Sequence, residues 1–348
     1  MNNVKNLIRN SISSSFFILI GLGVSAQLST KRYIKKNKNT ESVQYGDSSI
    51  YARGLLFMDD RLFLGNSDGS IYYMNPKSKE SQLIFKKKKI NEIRDIDVSG
   101  NKIIAMHSGE NGKIILLDVE GNIHILALEI WEGVFLDGMD FIGDRGFMMG
   151  DPTQGAFNLF HTNDSGNSWD KCKGNILATP GEAGFAASGT NVQILNDSTY
   201  MFVSGGLKSR FFKSTNNGKT WSNVYLPYYS SESTGAYSMH FMNDSIGVIV
   251  GGDYLSPELK NNVSFYTEDG GKTWLNPINP VGGYRSCVFS KDNVYYSSGR
   301  NGIDFSLDGG KNWTAFAQGS YFSLNATETH LIATTKFGSI QFFELIKR

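Results

Sequence analysis

A charge imbalance, paired cysteines, long helical apolar stretches and nucleotide or nucleophile signatures are all missing from this chain of 348 residues. Each absence removes a class of protein. Lysine and arginine number 34 against 33 aspartates and glutamates, a net charge of +1, so no overall field draws the chain to nucleic acid or to an acidic surface. Only Cys172 and Cys287 are present; they fall in different repeats and are read as inert buried thiols rather than as a bridge or a nucleophile. His107 and His240 each lack a second histidine or cysteine at ligand spacing, so no metal is expected. There is no Gly-x-Ser-x-Gly nucleophile turn, no Gly-x-x-x-x-Gly-Lys phosphate loop and no strand–Gly-x-Gly-x-x-Gly–helix unit. No cofactor is expected, and redox chemistry has no residues behind it.

The one long apolar run lies at the start. Lys5 and Arg9 precede Phe16-Phe17-Ile18-Leu19-Ile20-Gly21-Leu22-Gly23-Val24, and the small residues Val24-Ser25-Ala26 precede Gln27, the order of a signal peptide cleaved after Ala26. The run is shorter than the roughly 20 residues a membrane span needs. Residues 1–26 are therefore expected to direct export to the periplasm or the exterior, leaving no span in the mature chain. Residues 27–45, with Lys31-Arg32-Tyr33-Ile34-Lys35-Lys36, read as a polar linker, part of which is expected to complete the last structural unit; a loose tail is the alternative.

What the chain does have is glycine, aromatic rings and repetition. Thirty-eight glycines and 13% aromatic residues, with no helical apolar period, indicate an all-β chain of short strands and many turns. Thr267-Glu268-Asp269-Gly270-Gly271-Lys272-Thr273-Trp274 recurs as Ser306-Leu307-Asp308-Gly309-Gly310-Lys311-Asn312-Trp313. Weaker copies run from Ser214 to Trp221 and from Thr162 to Trp169. A carboxylate or amide at the third position accepts bonds from the turn's own N–H groups, and the glycine two residues later takes a positive φ. This is the signature of an Asp-box, or BNR repeat. The tryptophans are spaced by 52, 53 and 39 residues, one supersecondary unit each, and such units bury their apolar faces by stacking on one another.

Seven segments align between Tyr51 and the C-terminus. Their first strands begin near Ala52, Ile93, Leu136, Phe185, Ala236, Tyr284 and Tyr321, and their second strands end near Asn66, His107, Asp151, Gly206, Asp253, Arg300 and Thr335. The expected fold is a seven-bladed β-propeller of four-stranded antiparallel blades over residues 46–348, with Asp-box turns between third and fourth strands. A monomer is expected. The Asp-boxes are read as structural, because Asp164, Asp269 and Asp308 lack the dense oxygen-ligand spacing of a calcium loop.

The opposite end of such a disc carries the second-to-third and inter-blade loops, where a ligand would converge. Arg53, Arg94 and Arg285 occupy matching positions at inner-strand starts, with Asp137 at the same place in the third segment. Arg300, Asp151 and Asp253 stand where second strands end, and Glu182 lies in the inter-blade loop Pro180-Gly181-Glu182-Ala183-Gly184. Arginine forks suit carboxylates or phosphates, so this set is either an anion- or peptide-terminus-binding mouth or a network of ion pairs with Asp95, Asp137, Asp151 and Asp253 that staples blades. Both readings stay open. Tyr284 and Tyr237 are read first as packing rings.

The Asp-boxes, Glu92-Ile93-Arg94-Asp95-Ile96, Phe135-Leu136-Asp137-Gly138-Met139 with Met149-Gly150-Asp151-Pro152, Gly181–Asn191 and Gly283-Tyr284-Arg285-Ser286-Cys287 together resemble the bacterial photosystem II assembly/stability factor-like propellers. Members are often loosely labelled oxidoreductase or glycosyl hydrolase. The resemblance covers roughly 46–348 and implies a scaffold that binds a protein or peptide through an arginine-bearing face, a role Arg53, Arg94 and Arg285 would inherit. Sialidases also use Asp-boxes. As a sialidase-like glycoside hydrolase acting on a glycan, the chain would use Asp151, Glu182 and Tyr284 catalytically beside the arginines. The Phe/Tyr-Arg-Ile-Pro opening of sialidases is replaced here by Tyr51-Ala52-Arg53-Gly54.

Overall fold

The computed structural model describes residues 40–118 and 122–345. The expected signal peptide at 1–26, residues 27–39 of the linker and the centre of the 118–122 turn lie outside the described residues.

Short, largely apolar strands separated by glycine-bearing turns cannot cover their own faces, and here they do so as seven antiparallel blades around one axis. The innermost strands are Ala52–Met58, Ile93–Ser99, Leu136–Ile142, Val192–Asn196, Thr234–Phe241, Cys287–Lys291 and Leu324–Ala326. Each packs against the next, and the first meets the last. The ring is shut by strands distant in sequence: Thr40–Gln44 pairs antiparallel with Ser339–Glu344, Thr40 opposite Phe343, and forms the outermost strand of the seventh blade. Joining the two ends of the chain in one sheet removes the open edge that a row of blades would otherwise leave.

Second strands such as Thr199–Val203 are buried along their whole length, as a strand covered on both faces must be. The fifth blade has an incomplete fourth strand, reduced to the bridge between Tyr266 and Leu275; Pro277 and Pro280 follow it and lack the N–H a ladder needs.

Four turns are capped from within. Thr162, Ser214, Thr267 and Ser306 each direct a hydroxyl to the Asp or Asn two residues on, at 2.7 to 3.0 Å, and accept the N–H of Gly166, Gly218, Gly271 and Gly310. Asp269 then accepts both the N–H and the hydroxyl of Thr273. Those bonds pull its exposed carboxyl down to about 2. The tryptophan that follows each turn leans on the preceding blade: Trp169 beside Ile104 and Leu116, Trp221 beside Phe147, Trp274 beside Phe211, and Trp313 beside Val248 and Val250. Turn and inter-blade packing are therefore one device.

Side chains also stitch neighbouring inner strands across the channel wall. Asp95 accepts Met139 N–H and Asp97 accepts Phe141 N–H, both at 2.8 Å; Asp140 accepts Ile194 N–H at 2.6 Å; Gln193 accepts Phe241 N–H at 2.7 Å.

The fourth blade departs from the alignment. Its inner strand enters the ladder only at Val192, not at Phe185, while Glu182–Ala183 pairs instead with Gly205–Gly206. The intervening residues 185–191 are within hydrogen-bond reach of several blades at once. Arg53 donates to Ala187 O and Arg94 to Ala186 O, Ser188 donates to Ser286 O, and Thr190 shares a hydroxyl bond with Ser238. Only a segment on the axis can touch the first, second, fifth and sixth blades together, so these residues plug the channel.

Candidate ligand-binding site at one mouth of the channel

Arg53, Arg94, Asp137 and Tyr237 share one structural cause. Each sits at a register shift of its inner strand, between Ala52 and Gly54, Ile93 and Asp95, Leu136 and Gly138, and Ala236 and Ser238. A bulge leaves its extra residue unpaired and re-aims the side chain. All four thereby line one cavity of about 400 Å³ above the plug, with Phe135, Asp151, Tyr254, Tyr284, Glu232 and Arg300.

Arg285 does not join them. The sixth inner strand enters its ladder only at Cys287, with Ser286 N–H also bonded to Ser298 O at 2.8 Å, so Arg285 lies one residue before that irregularity and its guanidinium turns outward. It is 1% exposed, donating Nε to Asp304 Oδ2 at 2.7 Å and Nη1 to Tyr284 O at 2.9 Å. Glu182 is also taken: Arg210 and the N–H and hydroxyl of Thr179 occupy both of its oxygens. Asp253 accepts Leu255 N–H at 2.9 Å and lines a separate groove beside the cavity. The structure thus brings together Arg53, Arg94, Asp137, Asp151, Tyr284 and Arg300, and withholds Arg285, Glu182 and Asp253.

The arginines at the mouth do not pair with the aspartates considered as their partners. Arg53 and Arg94 share one carboxylate, Glu92, at 3.6 and 3.0 Å from their Nε atoms. Arg300 is exposed and donates to Tyr254 O at 3.0 Å. Burial, then the neighbouring Asp151 charge, pushes the Asp137 carboxyl well above its ordinary range against the pull of Arg94. Asp151 is raised by burial too, although Gly184 N–H at 2.8 Å and Arg94 oppose it. The cavity therefore sets the guanidiniums of Arg53, Arg94 and Arg300 among the carboxyls of Asp137, Asp151 and Glu232, walled by aromatic rings: Tyr284 meets Tyr237 edge-on at 4.8 Å, and Arg94 lies over Phe135 at 5.3 Å.

Burial raises the Tyr284 phenol above its ordinary value, although Arg53 and Arg300 pull the other way. Among the described residues no group of three His, Cys, Asp or Glu side chains is placed to hold a metal. His107 bonds Glu92 O through Nδ1 at 2.9 Å, and burial lowers His240 to about 4. Cys172 and Cys287 are both free, on the third and sixth blades.

Sequence reasoning missed Glu92 and Tyr254 as site residues. Glu92 stands two residues before Arg94, and a carboxylate at that offset is a usable signal. Tyr254 has none, because its role depends on how its loop folds back.

The assembled ring places the chain among known folds. Its architecture is that of the seven-bladed propellers. YCF48 bound to D1 peptide is similar over 89% of this chain and 98% of its own, at 12% identity and a TM-score of 0.64. YCF48 from Cyanidioschyzon merolae covers 88% of this chain and 98% of its own, at 14% identity and 0.60. Virginiamycin B lyase from Staphylococcus aureus covers 88% and 99%, at 10% identity and 0.63. At such identities the likeness is one of fold. No protein-family profile and no curated sequence matches the chain.

Proposed function

We propose that this protein is an exported, monomeric, non-catalytic scaffold that binds a protein or peptide at the arginine-bearing channel mouth. The observation that carries the reading is the sharing of Glu92 by Arg53 and Arg94, with Arg300 bonded only to a backbone carbonyl. A guanidinium cluster beside aromatic walls fits a carboxylate carried by a polypeptide, since arginine forks bind carboxylates in planar pairs and rings supply rigid contact area. The capped turns we read as Asp-boxes, and the chain as a relative of the photosystem II assembly-factor-like propellers; one YCF48 structure holds a D1 peptide.

The test is recovery of partners from envelope extracts by wild type and by a variant carrying Arg53→Gln, Arg94→Gln and Arg300→Ala, with folding of both checked by thermal denaturation. A folded variant that recovers the same partners in the same amounts sinks the reading.

The hydrolase alternative keeps Asp151 and Tyr284, which share the cavity, but its glutamate partner is engaged by Arg210. Turnover of aryl-glycoside or sialoside substrates, abolished by Asp151→Asn, would restore it.

A further inference from the structure

The apolar surface of the described residues is unevenly spread. On the loop joining the fourth and fifth blades Tyr229 is 58% exposed, and on the loop between the second and third strands of the fifth Leu255 is 69% and Leu259 54% exposed, with Leu177, Leu207 and Tyr225 also exposed on the segments around the fourth blade. Large apolar side chains held in water at one place mark a contact surface rather than the single exposures every protein shows.

These loops are not loose. Arg300 donates to Tyr254 O at 3.0 Å, and Asn301 Nδ2 and Tyr284 N–H both donate to Pro257 O, at 3.0 and 2.9 Å, which ties the loop bearing Leu255 and Leu259 to the sixth blade. The other loop is held by Ser230 Oγ donating to Leu207 O at 2.9 Å, by the Thr234 hydroxyl donating to Tyr229 O, and by Tyr228 packed edge-on to Phe265 at 5.0 Å. Between the loops lies a groove of about 230 Å³ lined by Tyr228, Tyr229, Leu259 and Val263, with room for one bulky side chain. A rigid apolar groove loses little conformational entropy on binding.

Groove and cavity adjoin. Glu232 and Tyr254 line the cavity while their chain neighbours Ser231 and Asp253 line the groove, and Tyr237 OH donates to Ser233 O at 2.8 Å between them. We propose that the groove is a second contact for the ligand of the arginine cavity, and that this ligand is an extended peptide segment bearing an acidic group a short distance from a bulky apolar side chain. The acidic group follows from the three guanidiniums, of Arg53, Arg94 and Arg300, that converge in the cavity, and the apolar group from the walls of the groove. The proposal rests on the peptide-binding reading above.

The experiment is selection of a displayed random heptapeptide library on the full chain, followed by binding measurements with the selected peptide. Three peptides are compared, the parent, one with its acid replaced by the amide, and one with its apolar residue replaced by alanine. Each is measured on wild type and on Leu255→Ser/Leu259→Ser, whose folding is checked by its melting temperature. The expected result is a shared acid-plus-apolar pattern, with about tenfold weaker binding on loss of either group. In the double variant the alanine replacement is expected to cost nothing further. If the apolar replacement is silent, or the double variant binds the parent as wild type does, the groove is not a contact. If only the acid replacement is silent, the groove stands and the reading of the arginine cavity fails. Enrichment of basic sequences, or of none, overturns both.

Discussion

Arg210 grips Glu182 with two parallel bonds, Nε to Oε1 at 2.8 Å and Nη2 to Oε2 at 2.6 Å, in a pair almost wholly removed from water. Ser204 donates to the same carboxylate at 2.5 Å. The pair anchors the loop from which residues 185–191 turn into the channel, so a carboxylate that resembles a catalytic glutamate in the sequence is here the mooring of the plug.

Replacing one member of a buried pair leaves the other charged and dry, at a cost of about 3–5 kcal/mol. Glu182→Gln is therefore expected to lower the unfolding free energy by about that amount in a urea titration. Burial opposes ionisation of Glu182, but the bonds from Arg210, Ser204 and Thr179 outweigh it and hold the carboxyl below its ordinary range. A depressed folded value means a contribution present above the unfolded value near 4.3 and lost as pH falls through the folded one. Wild type should lose this stability on acidification, and the glutamine variant should not. Equal acid sensitivity would refute the assignment.

The plug depends on Arg53 and Arg94. With both changed to glutamine, the carbonyls of Ala187 and Ala186 lose their donors, and the bonds from Met239 N–H to Thr190 O and from Val203 N–H to Asn191 O should open more often. Faster amide exchange at Met239 and Val203, with the sixth blade unchanged, is the expected signature. Unaltered exchange would mean the plug stands without the arginines.

A third prediction concerns the acids of the channel wall. Burial pushes Asp97 up to about 7 against bonds from Val98 and Phe141 N–H, and burial followed by the Asp97 charge pushes Asp140 well above its ordinary range. For a raised folded value the contribution is full below the unfolded value near 3.9 and is lost as pH rises through the folded one. Stability from this pair should decline between about pH 4 and about pH 7. Asp140→Asn keeps an acceptor for Ile194 N–H and removes one titration, so the fall in melting temperature from pH 4.5 to pH 8 should shrink. A fall as steep as that of wild type would contradict the coupling.

The capped turns make a fourth test. In Asp308→Ala the hydroxyl of Ser306 and the N–H of Asn312 lose their acceptor, at a cost of about 1 kcal/mol, as for other side-chain caps. Trp313→Ala empties a site between the fifth and sixth blades and should cost about 3–5 kcal/mol. Denaturant unfolding that ranks the aspartate change above the tryptophan change would show that the turn, not the ring, carries the packing.

By itself, the sequence determined the class and the count of blades. Repeated turns such as Thr267 to Trp274 report local backbone requirements, a hydroxyl, a carboxylate and a glycine at fixed offsets, and apolar runs such as Val248-Ile249-Val250 report burial on both faces. Such signals act over a few residues and survive in one dimension. Only the tertiary structure decided which residues meet at the mouth. Arg53, Arg94 and Arg285 look equivalent in the alignment, but a bulge after Ala52 and after Ile93 turns the first two inward, while in the sixth blade the irregularity falls one residue later, at Ser286 opposite Ser298, and the third pairs with Asp304. A one-residue shift in pairing between strands reverses the face a side chain occupies, and that pairing depends on contacts between segments far apart in the chain.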